Sequence, residues 1–78
     1  MKRYVKSSTN GLMNWFRSDA VDELMKDMDP KEKRVIGRLA NAADMDNYFH
    51  GMVETLEMLE VHVTPAFETF IQEFAERM

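Results

Sequence analysis

The feature that most restricts how this chain folds is the helical spacing of its apolar residues between Asp44 and Val63. Because an α-helix turns once every 3.6 residues, apolar side chains that recur at intervals of three and four residues share one face. Five residues in this segment do so: Phe49, Met52, Val53, Leu56 and Leu59. The pattern predicts an amphipathic helix over about residues 45–61, whose apolar face needs cover from another part of the chain.

Two short motifs indicate where other helices begin. In Asp29-Pro30-Lys31-Glu32, Asp29 is a helix-capping residue, Pro30 fits the first helical position, and Glu32 completes a capping box. Thr64-Pro65 repeats the combination of a capping residue and a proline. We therefore expect helices over about residues 30–43 and 65–77.

The remaining segments complete an all-helical prediction. Apolar residues also recur at helical spacing in residues 18–28, and residues 11–17 form a short, strongly apolar stretch. Residues 1–10 lack a partner for a strand and are expected to form an extended or frayed arm. The predicted fold is all-α, a small compact bundle of four to five short helices in one domain.

The last predicted helix has the strongest apolar face in the chain. Its members are Phe67, Phe70, Ile71 and Phe74. Because these side chains are large and lie on one face, we expect this helix to be the main partner of the central helix.

Length and composition exclude several classes of protein. A chain of 78 residues is one domain in size, and without cysteine it has no disulfide and no thiolate ligand. No apolar run is long enough to span a membrane. The basic residues at the N-terminus are not followed by an apolar stretch of the kind found in signal peptides. We expect a cytoplasmic protein with no membrane association.

Charge is divided unevenly along the chain. Residues 1–38 carry nine of the ten basic residues, whereas residues 39–78 carry eight of the fourteen acidic ones. Such asymmetry indicates an electrostatic binding surface, or two halves that neutralise each other by packing. The candidate acidic surface on the central helix comprises Asp46, Glu54, Glu57 and Glu60.

The acidic surface suggests a protein partner with a basic surface. In size, charge and helicity the chain resembles small acidic helical proteins of phages and mobile elements that block host nucleases, although no motif is shared. The resemblance implies a non-catalytic inhibitor or regulator of a larger protein.

A second candidate surface is apolar. Trp15 and Phe16 either seal the core as part of a short lid helix or serve as an exposed anchor for a partner. The chain also has eight methionines, of which Met13, Met45 and Met58 fit core positions poorly. Flexible thioether side chains suit an adaptable interface, which makes a homodimer a further hypothesis.

Nucleic-acid binding is the alternative function. Residues 18–28, the turn at Asp29-Pro30 and the following helix have the outline of a helix-turn-helix, in which Lys31, Arg34 and Arg38 would contact phosphates. An isoelectric point near 5.0 weighs against this alternative.

The sequence provides no convincing catalytic or metal site, so we predict neither an enzyme nor a bound cofactor or metal. His50 and Glu54 lie one helical turn apart, but no set of three or four ligands follows from the spacing. The segment from Asp44 to Phe49 begins like a calcium loop, yet Phe49 occupies the position of the required glycine.

Overall fold

The computed structural model describes residues 11–77, which are all-helical. The helices are α1 (residues 11–16), α2 (Asp19–Lys26), α3 (Pro30–Ala40), α4 (Met45–Met58) and α5 (Pro65–Arg77). No strand occurs within this part of the chain. The predicted all-α fold of four to five helices is confirmed, whereas the predicted N-terminal arm at residues 1–10 lies outside the described residues.

The helices belong to two packing units. Unit 1 contains α1, α2 and α5, and unit 2 is the continuous segment Asp29–Val63, which contains α3 and α4. The chain passes from one unit to the other at residues 28–29 and 63–64. Each passage coincides with one of the two motifs that combine a capping residue with a proline.

Aromatic side chains form the core of unit 1. Phe67, Phe70 and Phe74 of α5 are fully buried. The ring of Trp15, from α1, stacks on Phe70 with 5.4 Å between ring centroids, and Phe16 meets Phe70 edge-on at 5.9 Å. Because aromatic pairs of this geometry contribute about 0.5–1.5 kcal/mol each beyond area burial, α1 is held firmly against α5.

The prediction that α5 is the main partner of the central helix α4 is wrong. Within unit 1, α5 packs on α2, whose Val21 is almost completely buried. Within unit 2, α4 packs on α3. An apolar face read from sequence shows that a helix needs cover but does not identify which helix provides it.

Unit 2 begins with the predicted capping box. The backbone N–H of Asp29 donates a hydrogen bond of 3.0 Å to Oε1 of Glu32, and Pro30 occupies the first turn of α3. Glu32 is only 7% exposed, and this hydrogen bond gives its buried carboxylate a partner. Behind the cap, Ile36 and Leu39 of α3 and Phe49 of α4 are buried.

Helix α4 is closed at both ends by hydrogen bonds. At its start, the Asp44 side chain accepts from the backbone N–H of Asn47 at 3.2 Å. At its end, the N–H of Val61 donates to the carbonyl of Leu56 at 3.0 Å, and that of Glu60 donates to the carbonyl of Glu57 at 3.1 Å. These two bonds form a Schellman motif, with Glu60 in the left-handed conformation at φ 52°.

The Schellman motif ends α4 at Met58, whereas its apolar pattern extends to about residue 61. Leu59, the next residue, keeps a helical backbone conformation but is not buried on the apolar face as the spacing predicts; it is 68% exposed. The β-branched residues Val61 and Val63 follow, and they favour the chain leaving the helix.

Replacing Glu60 by glycine is expected to stabilise the protein. A left-handed conformation costs a residue with a Cβ roughly 1–2 kcal/mol, and glycine avoids this cost but loses more chain entropy on folding. We expect Glu60→Gly to raise the free energy of unfolding by about 1 kcal/mol or less, measured by urea denaturation. Glu60→Ala is the matched control, because it removes the charge but keeps the Cβ. An equal gain from both variants would contradict the backbone explanation.

Candidate functional site

Three of the four predicted acidic residues share one exposed face of α4. Asp46, Glu54 and Glu57 lie within about a quarter turn of one another around the helix axis, and all three side chains are exposed. Glu60 is exposed as well, but it follows the end of α4 and belongs to the Schellman turn. We call Asp46, Glu54 and Glu57 the acidic face.

The helix dipole stabilises only one of the carboxylates of the acidic face for which its effect is clear. Asp46 lies in the first turn of α4, where a negative charge is stabilised by the helix dipole. Glu57 lies in the last turn, where the dipole disfavours a carboxylate, and no basic residue accompanies it there. Glu57 therefore works against the stability of its own helix.

The basic residues of α3 are exposed and do not neutralise the acidic face. Lys31, Arg34 and Arg38 lie on one flank of α3, and we call them the basic flank. Within residues 11–77, the ion pairs join Lys26 to Glu23 and Arg77 to Glu73, and no pair joins the basic flank to the acidic face. Within unit 2, both sets of charges remain accessible to a partner.

A groove of about 480 Å³ lies between α3 and α4. Its lining is mainly apolar and comprises Val35, Asn47, Tyr48, Gly51, Met52, Thr55 and Leu56. A Cβ added to Gly51 would have no atom of a neighbouring segment within 4 Å, so the α4 side of the groove is open. The spacing in the sequence predicts that Met52 and Leu56 lie on the core face, and no pattern in the sequence indicates a groove.

The two rims of the groove carry opposite charges. Residues three or four positions apart are neighbours on a helix surface, so Lys31 and Arg38 flank the groove residue Val35 on α3. By the same rule, Glu54 lies next to Gly51 on α4. The groove therefore has an apolar floor, a basic rim on α3 and an acidic rim on α4 that consists of Glu54.

Large apolar side chains are exposed where α4 ends. Met58 is 81% exposed, Leu59 is 68% exposed and Val61 is 46% exposed. Leu59 continues a row that begins with the groove residues Tyr48, Met52 and Thr55, at alternating spacings of four and three residues. This row is visible in the sequence. It lies so close to the core face of α4 that the two can be told apart only when the burial of each residue is known.

The structure places Trp15 in the core of unit 1. The indole is 7% exposed, and the guanidinium of Arg77 lies 4.7 Å from its ring centroid. Phe16 is half-buried beside it, with 6.3 Å between the two ring centroids. A buried indole offers little surface to a partner, so we interpret Trp15 as a core residue.

The helix-turn-helix alternative requires α2 and α3 to pack as a pair. Among α2 to α5, α2 packs with α5 and α3 packs with α4. The basic flank is exposed on α3, but its presentation by a helix-turn-helix stays a prediction.

The described residues provide neither a metal cluster nor a membrane span. Among residues 11–77, no group of three His, Asp or Glu side chains is positioned to hold a metal ion. His50 is exposed on α4 beside the acidic face and stands outside any such group. Each helix in this range is too short or too polar to cross a bilayer.

No protein-family model, no curated protein and no solved structure matches this chain.

The burial of Trp15 is testable by fluorescence. Because the chain has one tryptophan, its emission reports the environment of this indole alone. We expect blue-shifted emission and weak quenching by acrylamide in the folded protein, with a red shift in denaturant that follows the loss of helical circular dichroism. Emission typical of a water-exposed indole in the folded protein would contradict the assignment of Trp15 to the core.

Proposed function

We propose that this chain is a small, non-catalytic protein-binding module of the cytoplasm. Its acidic face binds the basic surface of a larger protein and thereby inhibits or regulates it. A nuclease or a defence complex of the kind that phage proteins block is the type of target that fits, because a nucleic-acid-binding site supplies a basic surface.

The observation that carries this proposal is the position of Glu57. An exposed acid in the last turn of α4, without a basic neighbour in that turn, disfavours the helix. Asp46 has a structural role in the first turn, but folding gives no reason for a carboxylate at residue 57. Glu54 shares its face, and neither residue forms an ion pair within the described residues. An accessible cluster of like charges that costs stability is consistent with a binding role.

The proposed mechanism is electrostatic competition. Exposed carboxylates on a rigid helix attract a basic surface over several ångströms and accelerate association. Once bound, they occupy the positions at which the phosphates of a nucleic acid would lie. Since surface charges are screened by salt, binding should weaken as ionic strength rises.

Reversing two charges of the acidic face tests the proposal. We expect Glu54→Lys with Glu57→Lys to abolish capture of the partner from a lysate of the source organism, measured by quantitative mass spectrometry. Both side chains are exposed, so the free energy of unfolding should change by about 0.5 kcal/mol or less and helicity should be retained.

The matched control reverses two exposed acids of unit 1. Asp27→Lys with Glu76→Lys changes the net charge equally, and both positions lie near helix C-termini, where lysine is tolerated. We expect this variant to retain capture. Equal capture by both variants and the original chain would refute a role for the acidic face.

The exposed basic flank favours a second candidate function, nucleic-acid binding. Lys31, Arg34 and Arg38 are free to contact phosphates because they form no ion pair within residues 11–77. This candidate predicts a gel shift of duplex DNA at low salt that Arg34→Ala with Arg38→Ala removes. Loss of about two phosphate contacts should lower the slope of log affinity against log salt by about 2. Absence of a shift at low salt would exclude this candidate.

A further inference from the structure

We propose that the groove between α3 and α4 binds the same groove of a second copy of this chain, which makes the protein a homodimer through unit 2. This inference goes beyond the proposed function, because it concerns a different surface and a different partner. Three features of unit 2 carry it: the apolar floor of the groove, the row of residues that ends in Leu59, and the opposite charges of the rims.

The floor of the groove provides an apolar surface on which a helix of the second copy packs. Tyr48, Met52 and Leu56 are partly exposed on α4, and Val35 is partly exposed on α3. The open position at Gly51 allows a neighbouring side chain to approach the backbone of α4. Partly exposed apolar residues along a helical pair are the usual requirement for docking another helix.

The row on α4 has the spacing of a helix–helix seam. Tyr48, Met52, Thr55 and Leu59 follow one another at four, three and four residues, the alternation that keeps one face of a helix against a partner. Leu59 adopts a helical backbone conformation at the end of α4 and is 68% exposed. Unit 2 leaves most of the Leu59 side chain in contact with water. A second helix that lies along the row would bury this side chain.

The charges of the rims are complementary between two copies. Lys31 lies nine residues before the end of α3 at Ala40, and Glu54 lies nine residues after the start of α4 at Met45. Because both helices rise equally per residue, Lys31 and Glu54 stand at about the same distance from the turn that joins them. They therefore lie at matching heights on the two sides of the groove.

A two-fold axis along the groove brings these rims together. It places the basic rim of each copy opposite the acidic rim of the other, so that Glu54 of each copy meets Lys31 of the second copy. A two-fold axis across the groove would instead oppose like charges. The chain is therefore complementary to itself in one orientation, and this selects a second copy over an unrelated helix as the occupant.

The interface involves little of the acidic face. Asp46 and Glu57 project from the side of α4 away from the groove, and Glu54 stands at the border between the two surfaces. The dimer therefore leaves Asp46 and Glu57 accessible.

Analytical ultracentrifugation of the full chain over a range of concentrations tests the proposal. We expect a monomer–dimer equilibrium that weakens as salt is added. Leu59→Glu should raise the dissociation constant of the dimer at least about tenfold, because each copy loses a buried leucine. The side chain is mostly exposed in the single chain, so helical circular dichroism should be unchanged.

A charge reversal and its compensation identify the orientation. We expect Glu54→Lys and Lys31→Glu, each alone, to raise the dissociation constant roughly five- to thirtyfold, because each creates two like-charge contacts per dimer. The variant carrying both changes restores every opposite-charge contact and should dimerise like the original chain. Glu76→Lys is the control, and it should leave the dissociation constant unchanged.

Three results would overturn the proposal. One is a chain that stays monomeric at all concentrations in low salt, which would leave the groove to a helix of another protein. Another is a dimer unaffected by Leu59→Glu, which would place the interface elsewhere. The third is failure of the double variant to recover, which would refute the orientation. Because Leu59→Glu retains the acidic face, capture by this variant separates failure of the dimer from failure of the proposed function.

Discussion

The structure depends on two places where the backbone is prevented from continuing as a helix. A residue before proline is disfavoured in the helical conformation, and Asp29 and Thr64 each precede one. Each also caps the helix that follows: the N–H of Asp29 bonds to Glu32, and the hydroxyl of Thr64 accepts from the N–H of Phe67 at 3.2 Å. The passages between the two packing units fall at these positions, so local backbone chemistry determines where unit 2 begins and ends.

The two units bury their apolar residues in different ways. The described residues of unit 1 include four buried aromatic rings, three of them on α5, and their mutual ring contacts give it a dense core. Unit 2 is a helical pair in which Phe49 is the single buried aromatic residue of the segment 29–63. Two packed helices enclose few side chains between them. Apolar residues such as Met52 and Leu59 are therefore left partly or mostly exposed. The binding surfaces proposed for this protein therefore all lie on unit 2.

Features that depend on neighbouring residues were predictable from the sequence. The helical class, the capping box at Asp29 and the cap at Thr64 follow from the conformational preferences of a few adjacent residues. Exposure of the acidic face and the basic flank follows from the cost of burying charge. The partner of α5 was not predictable, because α2 and α4 both present apolar faces of suitable length. Nor was the exposure of Leu59, because its spacing places it beside the core face and only its burial shows that the row it belongs to is uncovered.

The order of the segments in the chain has a consequence for folding. Unit 2 is continuous in sequence, so α3 and α4 meet by closing a short turn, whereas α2 and α5 of unit 1 meet only after the whole of residues 29–63 has been looped out. Contacts between distant segments carry a larger loop-closure entropy and form more slowly. On a ribosome, α3 and α4 leave the exit tunnel before α5 does. The sparsely packed helical pair is thus expected to form first, and the aromatic core closes last, when the final helix arrives.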